Sequence, residues 1–223
     1  MHPEALSIVV FSDSLAHPLG PMTAPTFRLE RALLRQGVWP IAGIDEAGRG
    51  PLAGPVAAAA VILDPKNIPK GLNDSKLLAP DVREALYEDI VARAIGVSVS
   101  FASAAEIDAI NIRQATFAAM RRALAALAVL PSHVLIDGND LPPCLVCKGE
   151  TLVKGDAKSA SIAAASIVAK VTRDRLMRRL CTVHPVYGFS RHAGYATRAH
   201  LAAIAEHGPS PYHRLTFAPF RLA

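Results

Sequence analysis

The run from Val56 to Leu63 is apolar at every position and lies between Pro55 and Pro65. No apolar run in the chain is longer, and eight residues are far below the roughly 18 that a membrane helix needs, so the sequence offers no span and the segment reads as a strand. A second apolar segment, Ile41 to Glu46, precedes it. The two are joined by the turn-rich Ala47-Gly48-Arg49-Gly50-Pro51-Leu52-Ala53-Gly54. Two short apolar runs around such a connection predict a hairpin with a functional loop.

The rest of the chain alternates helix and strand. Phe27–Arg35 reads as a short helix, and Pro80 opens another with Val82, Leu86, Ile90 and Ala94 at helical spacing. Ile95, Val97, Val99 and Phe101 alternate with small or polar residues, as in a half-buried strand. Ser103-x-x-Glu106 has the form of a capping box, and a helix over Ile112–Ala128 turns Phe117, Leu124 and Leu127 inward and Arg121 and Arg122 outward. His133–Ile136 and Thr151–Val153 read as strands, and Asp156 as the start of an Ala-rich helix reaching Cys181. A last helix over Thr197–His207 is closed by Gly208 and Pro209. This order predicts an α/β protein, and 223 residues allow one domain with an appendage or two small ones.

Residues 1–26 are Pro-punctuated and are expected to be poorly ordered, with Met22 as an alternative start. No basic stretch precedes Ile8–Phe11, and Ser12 and Asp13 interrupt it, so no signal peptide is expected and the cytoplasm is the expected compartment. Three cysteines build no disulfide framework, and Cys144-x-x-Cys147 lacks a second ligand pair. His184, His192, His200, His207 and His213 are spaced too widely for a zinc site.

Net charge is +5, unevenly placed. Lys170 to Ala223 holds nine Lys and Arg against Asp174 and Glu206, a net of +7, which leaves −2 for residues 1–169. A basic quarter beside a slightly acidic body suggests a polyanion-binding face next to chemistry that uses carboxylates; a solvated helix face explains the charge equally well.

Four acids mark strand ends. Asp45 and Glu46 close one strand, Asp137 closes another, and Asp156 stands where a third meets a helix. In an α/β sheet such ends converge, so acids about ninety residues apart can share a site. Clustered carboxylates need a cation, and hard oxygen donors suit Mg²⁺ or Mn²⁺, with a two-metal pair as one way to activate water and stabilise a leaving oxygen. Adjacent strand residues point to opposite faces, so Asp45 and Glu46 share the site only if the strand breaks there. Taken singly, Asp156 reads better as a helix N-cap and Asp137-Gly138 as an ordinary turn; it is the joint placement of the acids after apolar strand-like runs that favours a shared site.

Gly48-Arg49-Gly50-Pro51-Leu52-Ala53 also matches the dinucleotide fingerprint. Its context fails: Pro51 and Pro55 bracket the short segment where a helix should begin, a strand follows instead, and no acid stands between Asp64 and Asp74, where the ribose-binding acid is expected. The loop can still offer backbone N–H groups and Arg49 to a phosphate or sugar.

Ile44-Asp45-Glu46-Ala47-Gly48-Arg49-Gly50-Pro51-Leu52-Ala53-Gly54-Pro55-Val56 resembles the signature of bacterial ribonuclease HII. Further matches follow in order: Asn73-Asp74-Ser75-Lys76, Ile107-Asp108 with Asn111-Ile112, Asp137-Gly138-Asn139, and Lys154-Gly155-Asp156. They continue with Ala164-Ala165-Ser166-Ile167, Ala169-Lys170-Val171-Thr172-Arg173-Asp174, Gly194-Tyr195 with Thr197 and His200, and His207-Gly208-Pro209-Ser210. The resemblance spans Phe27 to Phe217; Arg191-His192-Ala193 and Ala196 depart from the usual pattern around Tyr195.

The resemblance implies a ribonuclease H-like mixed sheet flanked by helices over residues 27–182, with a small C-terminal helical extension, 183–223, that binds substrate. It implies Asp45, Glu46, Asp137 and Asp156 as catalytic metal ligands for Mn²⁺ or Mg²⁺. Gly48, Arg49 and Gly50 would read a ribose 2′-hydroxyl, Tyr195 would stack at the RNA–DNA junction, and Lys76 and Lys170 would join the substrate-binding set. The implied activity is hydrolysis of RNA in RNA–DNA hybrids and at ribonucleotides embedded in duplex DNA, leaving 3′-hydroxyl and 5′-phosphate ends. A monomer is expected, without a membrane partner, and recruitment by a replication clamp is left open. The competing class is a non-catalytic basic nucleic-acid-binding module, in which the four acids are only caps and turns.

Overall fold

The computed structural model describes residues 24–220. The expected N-terminal extension therefore lies outside the described residues up to position 23, as does Met22. Its last member, Thr26, is bonded through its backbone to Lys158 and Ala160. In chain order the strands are β1 Ile41–Ala47, β2 Val56–Ile62, β3 Gly96–Ala102, β4 His133–Asp137 and β5 Lys148–Leu152. The helices are α1 Arg28–Arg35, α2 Pro80–Arg93, α3 Ala104–Ala125, α4 Ala160–Val183, α5 Phe189–His192 and α6 Arg198–His207. One mixed sheet forms in the order β3-β2-β1-β4-β5. β2 pairs antiparallel with both β3 and β1, β4 pairs parallel with β1, and β5 pairs parallel with β4.

Both faces of the sheet are covered. Along β2, Val56, Ala58, Ala60 and Ile62 join a core with Ala115, Ala119 and Ala123 of α3. Ala59 and Val61 instead pack with Ala163, Ala164 and Val168 of α4 and Ile90 of α2. A strand with helices on each side cannot alternate apolar with polar residues, which is why this segment is apolar throughout. Its alanines also let the helices approach closely. The limit is reached at Gly43, where a Cβ would lie 2.1 Å from the carbonyl carbon of Ser161. The first turn of α4 thus rests on the backbone of β1, two residues from Asp45.

Glu30 of α1 fixes that same turn. Its fully buried carboxylate accepts hydrogen bonds from Ser159 Oγ at 2.6 Å and from the Ser161 N–H at 3.0 Å. An acid at a helix N-terminus meets both the free N–H groups and the positive end of the dipole.

Several boundaries differ from expectation. The helix expected from Ile112 is present, but a further helical stretch from Ala104 precedes it, and the two meet at Asn111, whose φ of 65° is left-handed. Ser103 Oγ accepts from the Glu106 N–H as a capping box requires, but the Glu106 carboxylate pairs with Arg122 instead of reaching back. The edge strand β5 occupies Lys148–Leu152 instead of Thr151–Val153, because its register sets Thr151 opposite Ile136. Val82 is exposed; only Leu86 and Ile90 of the α2 stripe are buried. Beyond α4, Tyr187, Phe189 and Ala203 pack on Ala53 and Met177, so the C-terminal segment leans on the glycine-rich connection.

Candidate active site

Three backbone features bring the acids together. β1 and β4 are parallel with Ile44 opposite Ile136, so Asp45 and Asp137 leave the same end of the sheet side by side. Asp156 follows β5 in a one-turn 3-10 helix, Gly155–Ala157, and the Gly155 N–H donates to Asp137 Oδ1 at 2.7 Å. Asp156 does not open α4 as expected. Ser159 caps that helix, its Oγ accepting from the Ile162 N–H, so the simple N-cap explanation of Asp156 is removed.

The expected strand break at Asp45 and Glu46 is absent. Pairing with β2 stays in register through Ala47 opposite Ala57, so the two acids leave opposite faces of an intact strand. They still share a site because the sheet ends there and can be reached from both sides. On the α4 side a cleft of about 430 Å³ is lined by Asp45, Glu46, Gly48, Arg49, Gly50, Lys76, Lys170 and Tyr195. On the α3 side Glu46 and Arg49 also line a hollow of about 130 Å³ with Asp137 and Asp140. Asp156 lines neither and is 7% exposed, close enough to Asp137 and Asp45 for their charges to act on one another.

The electrostatics are those of crowded anions. Burial first, then the Glu46 and Asp137 carboxylates, push Asp45 well above the ordinary carboxylate range. Burial also raises Glu46, opposed by Arg49, which holds it at 3.2 Å. Asp156 is raised by burial and then by Asp137 and Asp74. Burial alone would push Lys76 down, but Asp74, Asp45, Asp156 and Asp137 outweigh it and hold the ammonium above its ordinary value. Among the described residues no three carboxylate, imidazole or thiol groups already form a cation cage. Glu46 is held by Arg49 and Asp137 by a peptide N–H.

Several lining residues were not singled out from sequence. Ser166 Oγ donates to Ser75 Oγ at 2.7 Å on the cleft wall, and Arg83 lies beside them. Both serines sit within quoted motifs, which was the available signal. Lys170 is tied to Asp174 at 2.8 Å, and Tyr195 stands on the rim, 47% exposed.

The basic quarter is not a free polyanion face. Arg175 and Arg178 pair with Glu84, and Arg173 and Arg214 are buried on main-chain carbonyls. Among the described residues of that segment only Arg179, Arg191 and Arg198 are exposed without a carboxylate partner. Sequence gives charge but not direction.

The histidines are organised too. His200 is buried and bonds His213, Nε2 to Nε2, at 3.0 Å. The Ser210 N–H donates to His213 Nδ1, which makes His213 Nε2–H the donor and leaves His200 Nδ1–H for the Tyr195 carbonyl at 2.9 Å. This chain requires both rings neutral. Burial first and His200 second push His213 down to about 4, below its unfolded value, so its stabilisation is complete above about pH 6.5 and is lost as pH falls toward 4. Urea melts at pH 7 and pH 4.5 should therefore show the parent losing on the order of 1–2 kcal/mol more than His213→Asn.

Residues 42–220 match the family model for ribonuclease HII. The chain belongs to the ribonuclease HII family. A ribonuclease HII of Rhizobium meliloti is 58% identical over 206 residues, 92% of this chain and 95% of that one. Among solved structures, the ribonuclease H2 of Pyrococcus horikoshii superposes with a TM-score of 0.70 at 29% identity, covering 81% of this chain and 95% of that one. The ribonuclease HII in a complex with PCNA from Archaeoglobus fulgidus gives 0.64 at 28%, covering 79% and 93%. The fold is thus the mixed-sheet α/β fold of this family, as the sequence motifs implied. No helix of the described residues is long and apolar enough to cross a membrane.

Proposed function

We propose that the chain is a divalent-metal-dependent endoribonuclease. It hydrolyses the RNA strand of RNA–DNA hybrids, cuts at ribonucleotides embedded in duplex DNA, and leaves 3′-hydroxyl and 5′-phosphate ends. The observation that carries this reading is the convergence of Asp45, Glu46, Asp137 and Asp156 over one end of the sheet, beside a glycine-rich loop. Family membership supports it.

The donor set fits Mg²⁺ or Mn²⁺. All four side chains offer hard oxygen, and burial with mutual repulsion raises Asp45, Glu46 and Asp156, a cost that a divalent cation would remove. Bound there, such cations supply Lewis acidity to the attacking water and to the departing 3′-oxygen. The chain's own residues do the positioning. Arg49 pairs with Glu46 and would yield it to a bound cation, and Lys76, on the cleft wall among four carboxylates, would offer its ammonium to the scissile phosphate. Tyr195 offers a ring at the rim against which a base or sugar can lie. The 2′-hydroxyl is what separates RNA from DNA at one position, and the resemblance to the family signature assigns its reading to the loop Gly48-Arg49-Gly50, which lines the cleft.

The test is a DNA duplex carrying one ribonucleotide. Cleavage at that residue is expected with Mn²⁺ or Mg²⁺, with none in EDTA and none on the all-DNA duplex. A protein that binds the duplex without metal-dependent cutting would be a binding module. The A. fulgidus relative is seen with PCNA, and a replication clamp is the partner we propose here, to be checked by co-elution with the host clamp.

A further inference from the structure

Arg173 and Arg214 of the C-terminal quarter are 1% and 0% exposed, and neither has a carboxylate within ion-pair distance among the described residues. Their donors go to the main chain. Arg173 donates from Nε to Pro55 O at 2.9 Å, and from its terminal nitrogens to Ala193 O at 3.0 Å and Ala53 O at 3.1 Å. Arg214 donates from Nε to Gly54 O at 3.0 Å, and from its terminal nitrogens to Arg49 O at 2.8 Å and Gly48 O at 2.5 Å.

Burying a guanidinium without an anion is costly, and a second one nearby adds repulsion. Burial first, then Arg173, push Arg214 down to about 9, which still leaves it charged at neutral pH. The fold needs no cation to tie off a loop; neutral donors would serve. What the planar fork adds is simultaneous control of consecutive carbonyls.

In a trans peptide the C=O and N–H point in opposite directions. Drawing the oxygens of Gly48 and Arg49 inward turns the N–H groups of Arg49 and Gly50 outward, on the side of the acid-lined cleft. Neither N–H finds an acceptor among the described residues. The guanidinium also polarises both carbonyls, which strengthens the N–H donors on the far side of each peptide. Arg214 is itself set from outside. The Asp108 carboxylate accepts from the Leu215 N–H at 2.8 Å, the Thr216 N–H at 3.0 Å and Thr216 Oγ1 at 2.6 Å.

We propose that Arg214, held in place through Asp108, is a positioning residue that presents the Arg49 and Gly50 N–H groups as a preformed donor pair for a ribose hydroxyl. It thereby sets selectivity for ribonucleotide over deoxyribonucleotide. This role rests on the ribonuclease reading above. It gives a function to Asp108 and to the buried end of the basic quarter, which that reading leaves unused.

The test measures binding, not turnover, in an Asp137→Asn background with Mn²⁺. Affinities are compared for a duplex with one ribonucleotide and for the same duplex as all DNA. Arg214→Lys keeps the charge but lacks the planar fork, and should cut the affinity ratio by about tenfold while leaving all-DNA affinity within about twofold. Asp108→Asn, at a half-buried position, should move the ratio the same way by about threefold, and it carries the test if Arg214→Lys does not fold. Hydrogen exchange at the Arg49 and Gly50 amides should slow on binding the ribonucleotide duplex in the background protein and not in either variant. An unchanged ratio in a folded variant, whatever its melting temperature, overturns the role, as does an equal loss for both duplexes. A background protein that binds both duplexes alike overturns the ribonuclease reading itself.

Discussion

Asp137→Asn should lower metal-dependent cleavage by at least about a thousandfold, equivalent to about 4 kcal/mol of barrier, while affinity for the ribonucleotide duplex survives. The substitution is chosen for what it keeps. Asparagine retains the oxygen that accepts the Gly155 N–H at 2.7 Å, so the contact between the end of β4 and the turn carrying Asp156 persists. What disappears is one negative charge among four. Asp45 and Asp156 are both raised in part by Asp137, so its neutralisation relieves repulsion and the variant should melt no lower than the parent. Lost activity with unimpaired stability separates a ligand role from a structural one. Single-turnover cleavage with saturating Mn²⁺, beside a thermal melt, gives both readings; turnover close to the parent's would remove Asp137 from the chemistry.

The placement of the acids was legible in the sequence for a physical reason. Strand ends announce themselves by an apolar run that stops; one acid there is as easily a turn or a cap, and it was the recurrence of acids after several such runs that pointed to neighbouring strand ends for Asp45 and Asp137. Asp156 was legible in place but not in conformation. Its neighbour Ser159, three residues on, takes the cap, and only the structure shows the intervening 3-10 turn. The break expected in β1 failed because it assumed access from one face, whereas the end of a sheet is open on both. The basic quarter misled for a related reason: composition counts guanidiniums without saying whether they face solvent, Glu84 or a backbone carbonyl. Long-range polar contacts such as Glu30 to Ser159 or Asp108 to Thr216 join residues more than a hundred positions apart and leave no periodic trace.

Gly48→Ala should be the most damaging single-methyl change in the glycine-rich loop, lowering kcat/KM on the one-ribonucleotide duplex by about a hundredfold or more and stability by about 2–3 kcal/mol. Two costs combine at this position. The residue has φ +93°, where an L side chain is strained, and the added Cβ would stand 1.9 Å from Nε of Arg173. Neither partner can yield cheaply, because that guanidinium is committed to the carbonyls of Pro55, Ala193 and Ala53. Relief must come from moving the Gly48 peptide, which carries the oxygen bonded by Arg214 and is followed by the Arg49 N–H. Gly50 is the control. Its φ is not left-handed and a Cβ there meets nothing nearer than Tyr195 Cε1 at 3.8 Å, so Gly50→Ala should leave stability within about 1 kcal/mol. Any activity that Gly50→Ala loses must then come from the approach of substrate to the loop. If instead both alanine variants melt and turn over alike, the close seat of Gly48 on Arg173 does not govern the loop, and the site is shaped by the acids alone.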